Sequence, residues 1–507
     1  MEEDMLLPEE ILIKIFDYLS PKMVKTCCLV CKRWDYIVSN SRQIMKKFQL
    51  NLEESNLMIQ KAKLLNRKHQ IIKVKNLNES TMDVISLHNL QSLQISCCKI
   101  ESTIFAKVLS QLKLLEIFSA KAVAFIDDFE IDDDFKRVSL KLKELRIEYC
   151  DIDLVEFFDT DSLEIFEVSS LLTEECDSVI NLLKRQKNLK KFGVGGVICE
   201  NFYQSDEIYK FSFRLKSLKI DKASMTNDQN DPLFKFLLLQ QDSLTSMKIL
   251  YPIETVVHRF ILENLVNLTH LEMPVSTLSE NHEDILNQLP RNQHIESIKF
   301  FGILRNLNNA KLVMNIFPNI KHLDLSQITT HIWFMDFLHY VSQTFKNLES
   351  LKIPNLFNQR LHQGIFFPKL TSFSVAKIYD ETIYNPFIRR HSGTLEDIYI
   401  GWTDDNFIKG LTVDEIMNCS KLKRVTISSY SPLVTRMFNK VSAKNKQWIL
   451  ESRIKNNLDL DYIPLIFKFP DDKAVWDDRC RIWSDELIRD FNTIDNYGLN
   501  AFVNKYK

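Results

Sequence analysis

Glycine is scarce in this chain of 507 residues, with 9 copies, and proline is modest at 13. Flexible inter-domain linkers are rich in such residues, so long linkers are not expected. Net charge is nearly absent too. The 65 lysines and arginines almost balance 67 aspartates and glutamates, leaving a formal charge of −2 and no global field to steer nucleic acid or an anionic membrane. No run offers the roughly 18 uncharged apolar residues a membrane span needs. Met1-Glu2-Glu3-Asp4 has the wrong charge for a signal or transit peptide. The ten cysteines are scattered, most of them in apolar segments, which points to a reduced cytoplasmic or nuclear setting.

Signatures of chemistry are missing as well. There is no Walker loop, zincin histidine pair or G-x-S-x-G elbow, so no catalytic residue, cofactor or metal is expected. Gly193-Val194-Gly195-Gly196 lacks the third glycine of a dinucleotide fingerprint and reads as structural. Cys28 and Cys31 have redox or zinc spacing but read as buried thiols.

What the chain does have is a repeat. Apolar-x-x-apolar-x-apolar recurs at Leu90/Leu93/Ile95, Leu112/Leu115/Ile117, Leu142/Leu145/Ile147 and Leu163/Phe166/Val168. Leu189/Phe192/Val194, Leu215/Leu218/Ile220, Leu244/Met247/Ile249, Leu268/Leu271/Met273 and Ile295/Ile298/Phe300 follow. Ile320/Leu323/Leu325, Leu348/Leu351/Ile353, Leu370/Phe373/Val375, Leu395/Ile398/Ile400 and Leu422/Val425/Ile427 complete the series. The mean spacing is about 25 residues. The last two apolar positions of each copy are two apart, as in a strand with one buried face. Between copies the spacing turns helical, as in Ile104, Val108 and Leu112. This pattern resembles the leucine-rich repeat family over about two thirds of the chain. Because strands pack about 4.8 Å apart and helices roughly 8–10 Å, the strands must line the inside of a curve. The expected fold is an α/β solenoid, a horseshoe with a concave parallel sheet and convex helices.

The first forty residues are organised differently. Pro8, Glu9 and Glu10 suit the start of a helix. Ile11, Ile15 and Leu19 form one apolar stripe, Leu12, Phe16 and Leu19 a second beside it, and Pro21 ends the helix. A later helix places Val30, Trp34 and Ile37 or Val38 on one side. Two stripes on one short helix need two surfaces to cover them, and about 40 residues lie near the lower limit for independent folding. The segment therefore reads as a binding module. Leu6-Leu7-Pro8-Glu9, Ile11-x-x-x-Ile15-Phe16, Leu19 and Val30-Cys31-Lys32-Arg33-Trp34 resemble the F-box family. That resemblance implies a three-helix hook for the Skp adaptor and, through it, a cullin scaffold. The implied adaptor contacts are Leu7, Pro8, Ile11, Ile15, Leu19, Leu29, Val30 and Trp34.

On the expected concave face, the residue between the last two apolar positions reads Lys219, Lys248, Glu272, Lys299, Asp324 and Lys352. Its mostly alternating signs predict a self-neutralising ladder and no continuous nucleic-acid stripe. His270 and His322 share a repeat position but stand two repeats apart, too far for one metal. Phe118, Phe301 and Tyr399 project to the same side by this register, and Trp402 lies just past a strand. They are the candidate anchors for an unknown protein substrate, or contacts of a folded-back tail. After Pro470, Trp476, Cys480, Trp483, Leu487, Phe491 and Ile494 keep one helical face, expected to cap the last repeat.

The expected division is an F-box at 1–45, a helical linker at 46–70, about fourteen repeats at 71–440 and a C-terminal helical cap at 441–507. The function implied is a non-catalytic substrate receptor of a Skp–cullin–F-box ubiquitin ligase. A non-degradative F-box scaffold and a repeat-protein inhibitor are the rival readings.

Overall fold

The computed structural model describes residues 7–52 apart from 20, 69–75, 81, 84–85, and 89–221 apart from 128–137, 151, 171–175 and 197. It also describes 232–303 apart from 251–254 and 276–285, 306–378 apart from 330–332, 355–360 and 362–363, and 384–403, 419–429, 447–453 and 462–467. The chain forms two compact units, Met1–Leu268 and Thr269–Lys507.

The first unit opens with helices α1 (Glu9–Tyr18), α2 (Pro21–Cys28), α3 (Lys32–Asn40) and the single turn α4 (Arg42–Met45). The next strands are β1 (Gln49–Leu52), β2 (Ile71–Lys75), β3 (Ser92–Ile100) and β4 (Ile117–Phe125). They are followed by β6 (Glu144–Glu148), β8 (Ile165–Ser170), β9 (Lys191–Gly196), β10 (Ser217–Ile220) and β11 (Ser246–Ile249). Each strand pairs in parallel with the one before it in this series. The short β5 (Val138–Ser139) and β7 (Phe158–Asp159) form a separate parallel pair.

The second unit holds β12 (His270–Pro274), β13 (Ser297–Ile303), β14 (His322–Thr329), β15 (Ser350–Ile353), β16 (Ser372–Ile378), β17 (Asp397–Thr403), β18 (Arg424–Ser429) and β19 (Gln447–Arg453). These are again parallel in sequence order, while β20 (Tyr462–Phe467) runs antiparallel to β19. The repeat spacing thus becomes a parallel α/β solenoid fold in each unit.

Alternation along the strands explains the layering. Leu93 and Ile95, Leu145 and Ile147, and Leu218 and Ile220 are buried, while the residues between them face outward. The intervening helices cover the buried side: Phe105 meets Phe118 at 5.9 Å, Phe202 meets Phe192 at 5.4 Å and Phe387 meets Phe373 at 4.7 Å between ring centroids. Successive repeats are stitched before each strand. The Glu116 carbonyl accepts from both Lys143 N–H (2.8 Å) and Glu144 N–H (3.1 Å), and the same fork recurs from repeat to repeat.

Three expectations need correction. The second repeat runs Leu115/Phe118/Ala120, not Leu112/Leu115/Ile117, because Phe118 pairs with Leu93 and Ala120 with Ile95. Residues 49–52, placed in a helical linker, form β1. Residues 447–453 and 462–467, within the expected helical cap, are strands. The apolar helical face from Trp476 to Ile494 lies outside the described residues.

Candidate functional site

α1 has two apolar stripes, and the fold treats them oppositely. Leu12 and Phe16 face inward to a core with Val24, Ile37, Val38, Ile44, Met45 and Phe48, against which Ile13, Leu19, Cys27, Cys28 and Trp34 pack. Phe16 and Trp34 meet edge-to-face, with ring centroids 5.2 Å apart. Burial of a side chain such as Leu12 or Phe16 contributes about 1.5–3 kcal/mol. Ile11 and Ile15 remain 41% and 42% exposed, as do Leu7 at 50%, Leu29 at 83% and Val30 at 62%. Isolated exposed apolar residues are ordinary, but here five fall within one small module, which makes it the candidate interaction surface.

Polar clamps hold that surface. Arg33 Nη2 donates to the Leu7 carbonyl at 2.8 Å, tying the segment before α1 to α3. Lys47 pairs with the Asp17 carboxylate at 3.1 Å, and its ammonium also donates to the Asp17 and Leu19 carbonyls at the end of α1. A cation there satisfies carbonyls that the helix leaves unpaired. Hydrogen bonds from Lys47 and then Gln43 hold the Asp17 carboxyl below its ordinary range.

Of the eight residues expected to contact an adaptor, Leu7, Pro8, Ile11, Ile15, Leu29 and Val30 are exposed. Leu19 and Trp34 instead pack partly into the module's own core. Sequence reasoning passed over Tyr18, Met23 and Tyr36, which are 92%, 54% and 64% exposed. Tyr18 continues the Ile11/Ile15 stripe at helical spacing, a signal that was available. Cys31, expected to be buried, is exposed, and Cys27 and Cys28 are half-buried.

The open sheet faces carry the other candidates. Phe118 is fully buried, because the corrected register makes it a core position, so it does not project outward. Phe301 and Tyr399 are half-buried. The Trp402 side chain lies outside the described residues, and its backbone pairs with Lys377. In the second unit, Lys299 meets Glu272 at 3.7 Å and Lys352 meets Asp324 at 3.3 Å. In the first unit, Lys219 and Lys248 stand opposite one another with the same sign. The glycine run is structural: a Cβ at Gly193 would lie 3.1 Å from Lys219 Cβ, and one at Gly195 would lie 2.7 Å from Asp221 Oδ2. These glycines give Lys219 and Asp221 room to lie across β9. No helix among the described residues is long and apolar enough to cross a membrane.

Residues 5–50 match the family model described as F-box-like. No curated protein matches the chain. Among solved structures, the crystal structure of a TLR13–ssRNA13 complex is similar at 14% identity and a TM-score of 0.35, covering 76% of this chain and 62% of that one. The chain therefore spans less than two thirds of that structure's length.

Proposed function

We propose that this chain, an F-box-like domain set ahead of leucine-rich repeats, is the substrate-recognition subunit of a Skp–cullin–F-box ubiquitin ligase. The observation that carries this reading is the division of α1, which keeps Leu12 and Phe16 for the module's own core and leaves Ile11 and Ile15 outside beside Leu7, Leu29 and Val30. The exposed stripe inserts into the Skp adaptor, which in turn joins a cullin. The sheet faces hold a protein substrate, and Phe301, Tyr399 and Trp402 are its candidate anchors. The chain performs no chemistry of its own. Holding a target beside the ubiquitin-loaded enzyme raises the effective concentration of the target's lysines.

The test is recovery of the Skp adaptor by wild type, by Leu7→Ala/Pro8→Ala and by Ile11→Ala/Ile15→Ala. All four positions are exposed, so the variants keep the wild-type unfolding temperature while adaptor affinity falls about tenfold or more. Equal recovery by folded variants would overturn the reading.

A further inference from the structure

Just before β3, one repeat position departs from its later counterparts. In the repeats of Glu116, Lys143, Glu164 and Lys190, the residue whose carbonyl forks to the next strand carries a charged side chain between 42% and 56% exposed. Gln70 holds the same place at the foot of β2, its carbonyl accepting from Gln91 N–H at 2.9 Å and Ser92 N–H at 3.0 Å. Yet Gln70 is only 2% exposed. Its Nε2 donates to the Arg42 carbonyl of α4 at 2.8 Å, a partner of the kind that buried amides require. One residue thus joins β3 through its backbone and the N-terminal helices through its side chain.

A second tie runs along the chain. Phe48 belongs to the core of the N-terminal module, and Gln49, the next residue, opens β1 in register with Ile71. Just before them, Lys47 binds the Asp17 carboxylate at 3.1 Å and the Leu19 carbonyl at 3.2 Å, at the end of α1. Leu52 of β1 is buried as deeply as Ile72 and Val74 of β2. The helices therefore reach β1 through Lys47 and Phe48, and β2 and β3 through Gln70. A repeat array needs a cap at its first strand. Segments tied in two places open together, because neither can come apart without breaking the other's bonds.

We propose that the N-terminal module and β1–β3 form one cooperative unit, in which the module caps the sheet and Gln70 is the coupling residue. A ligand seated on Ile11 and Ile15 then also stabilises β1 and β2, by linkage. This gives the module a task beyond the receptor reading, and it depends on that reading only for the ligand used in the test.

Hydrogen–deuterium exchange of the full chain is the test, read at α1, at β1 and β2, and at β9 as a distant control. Ile44→Val trims a buried core position of the module and is mild enough to leave the protein folded. Exchange rises about fivefold in α1 and to the same degree in β1 and β2, while β9 stays within about twofold of wild type. Phe16→Ala gives the same pattern with a larger rise. A rise confined to α1, or one that reaches β9 equally, overturns the proposal. Gln70→Met keeps the side-chain length but cannot donate, so adding it to Ile44→Val reduces the rise at β2 by about half or more. Undiminished transmission overturns the role given to Gln70. Purified Skp-type adaptor serves as the ligand. Once bound, it slows exchange in β1 and β2 as well as in α1, and protection confined to α1 overturns the linkage. An adaptor that fails to bind overturns the F-box reading instead, and the core variants still decide whether the module and strands are one unit.

Discussion

Ala122 sits in the left-handed region with φ 52°, and Cys97 and Tyr149 occupy the same repeat position at 53° and 57°. Each lies four residues after the first core position of its strand. Gly196 (φ 75°) and Gly302 (φ 98°) mark that position in other repeats. The turn re-aims the chain, so that the following Cys98, Val123 and Cys150 are buried. A residue with a Cβ costs about 1–2 kcal/mol in this conformation, offset in part by glycine's greater freedom when unfolded. Exposed Ala122→Gly is therefore expected to stabilise the protein by about 0.5–1 kcal/mol in denaturant titration. His391 supplies a second residue-scale prediction. Its Nε2 accepts from Phe367 N–H at 3.0 Å and its Nδ1 bonds the Phe387 carbonyl at 2.8 Å. Burial pushes its pKa down to about 4 from 6.5. The unfolded chain takes up the proton more readily, so stability present above pH 6.5 is lost as pH falls toward about 4. Gln186 and Gln240 accept comparable backbone N–H bonds elsewhere, from Leu163 and Leu215. His391→Gln should keep the fold and flatten that part of the pH profile of thermal unfolding.

At the scale of elements, α1 divides core residues from exposed apolar ones residue by residue. Phe16→Ala should cost about 3–5 kcal/mol and expose the N-terminal module to limited proteolysis. Ile15→Ala, one position away, should change stability by less than about 1 kcal/mol. This partition was only half legible in the sequence. The two stripes were visible at 3.6-residue spacing, but which one faces the core depends on where α3 and α4 pack. Leu19 and Trp34, named for the outer surface, pack partly into the module's own core for that reason. Most sheet strands were readable because their two core positions alternate with polar residues. Phe118 was misread because Leu112, Leu115 and Ile117 satisfy the same spacing, and only pairing with β3 distinguishes the registers. β2 was missed as a motif because buried His69 fills the position usually held by an aliphatic residue. β1 and β19 come from stretches too short or too polar for the repeat pattern to stand out.

At the scale of the molecule, one repeat position just before the strands carries Glu116 against Lys143 at 2.9 Å, Glu164 against Lys190 at 2.6 Å, Glu296 against Lys321 at 2.7 Å and Glu396 against Lys423 at 2.6 Å. Hydrogen bonds from lysine hold Glu164 and Glu296 below the ordinary carboxylate range, and bonds to glutamate raise Lys143, Lys321 and Lys423. The lowered carboxylates stabilise above their unfolded value of 4.5 and lose that contribution as pH falls. The raised lysines stabilise below 10.5 and lose it as pH climbs past that value. Equilibrium denaturation should show an alkaline limb beginning above 10.5 and an acid limb that His391 starts earlier, near 6.5. Surface pairs of this kind are screened by salt, so the carboxylate and lysine limbs should soften in high salt while the His391 limb persists.

The F-box core ends at Phe48, β1 begins at the next residue and pairs with β2, and Gln70 at the foot of β2 reaches back to the Arg42 carbonyl at 2.8 Å. The N-terminal module therefore runs directly into the first strand of the sheet, and Gln70 ties the second strand back to it. Each parallel strand beyond it adds a step of about 4.8 Å. Under the proposed function, the first unit is in effect a graduated ruler with the adaptor at its zero mark, and the place of a cargo along it would decide which of the cargo's lysines come within range.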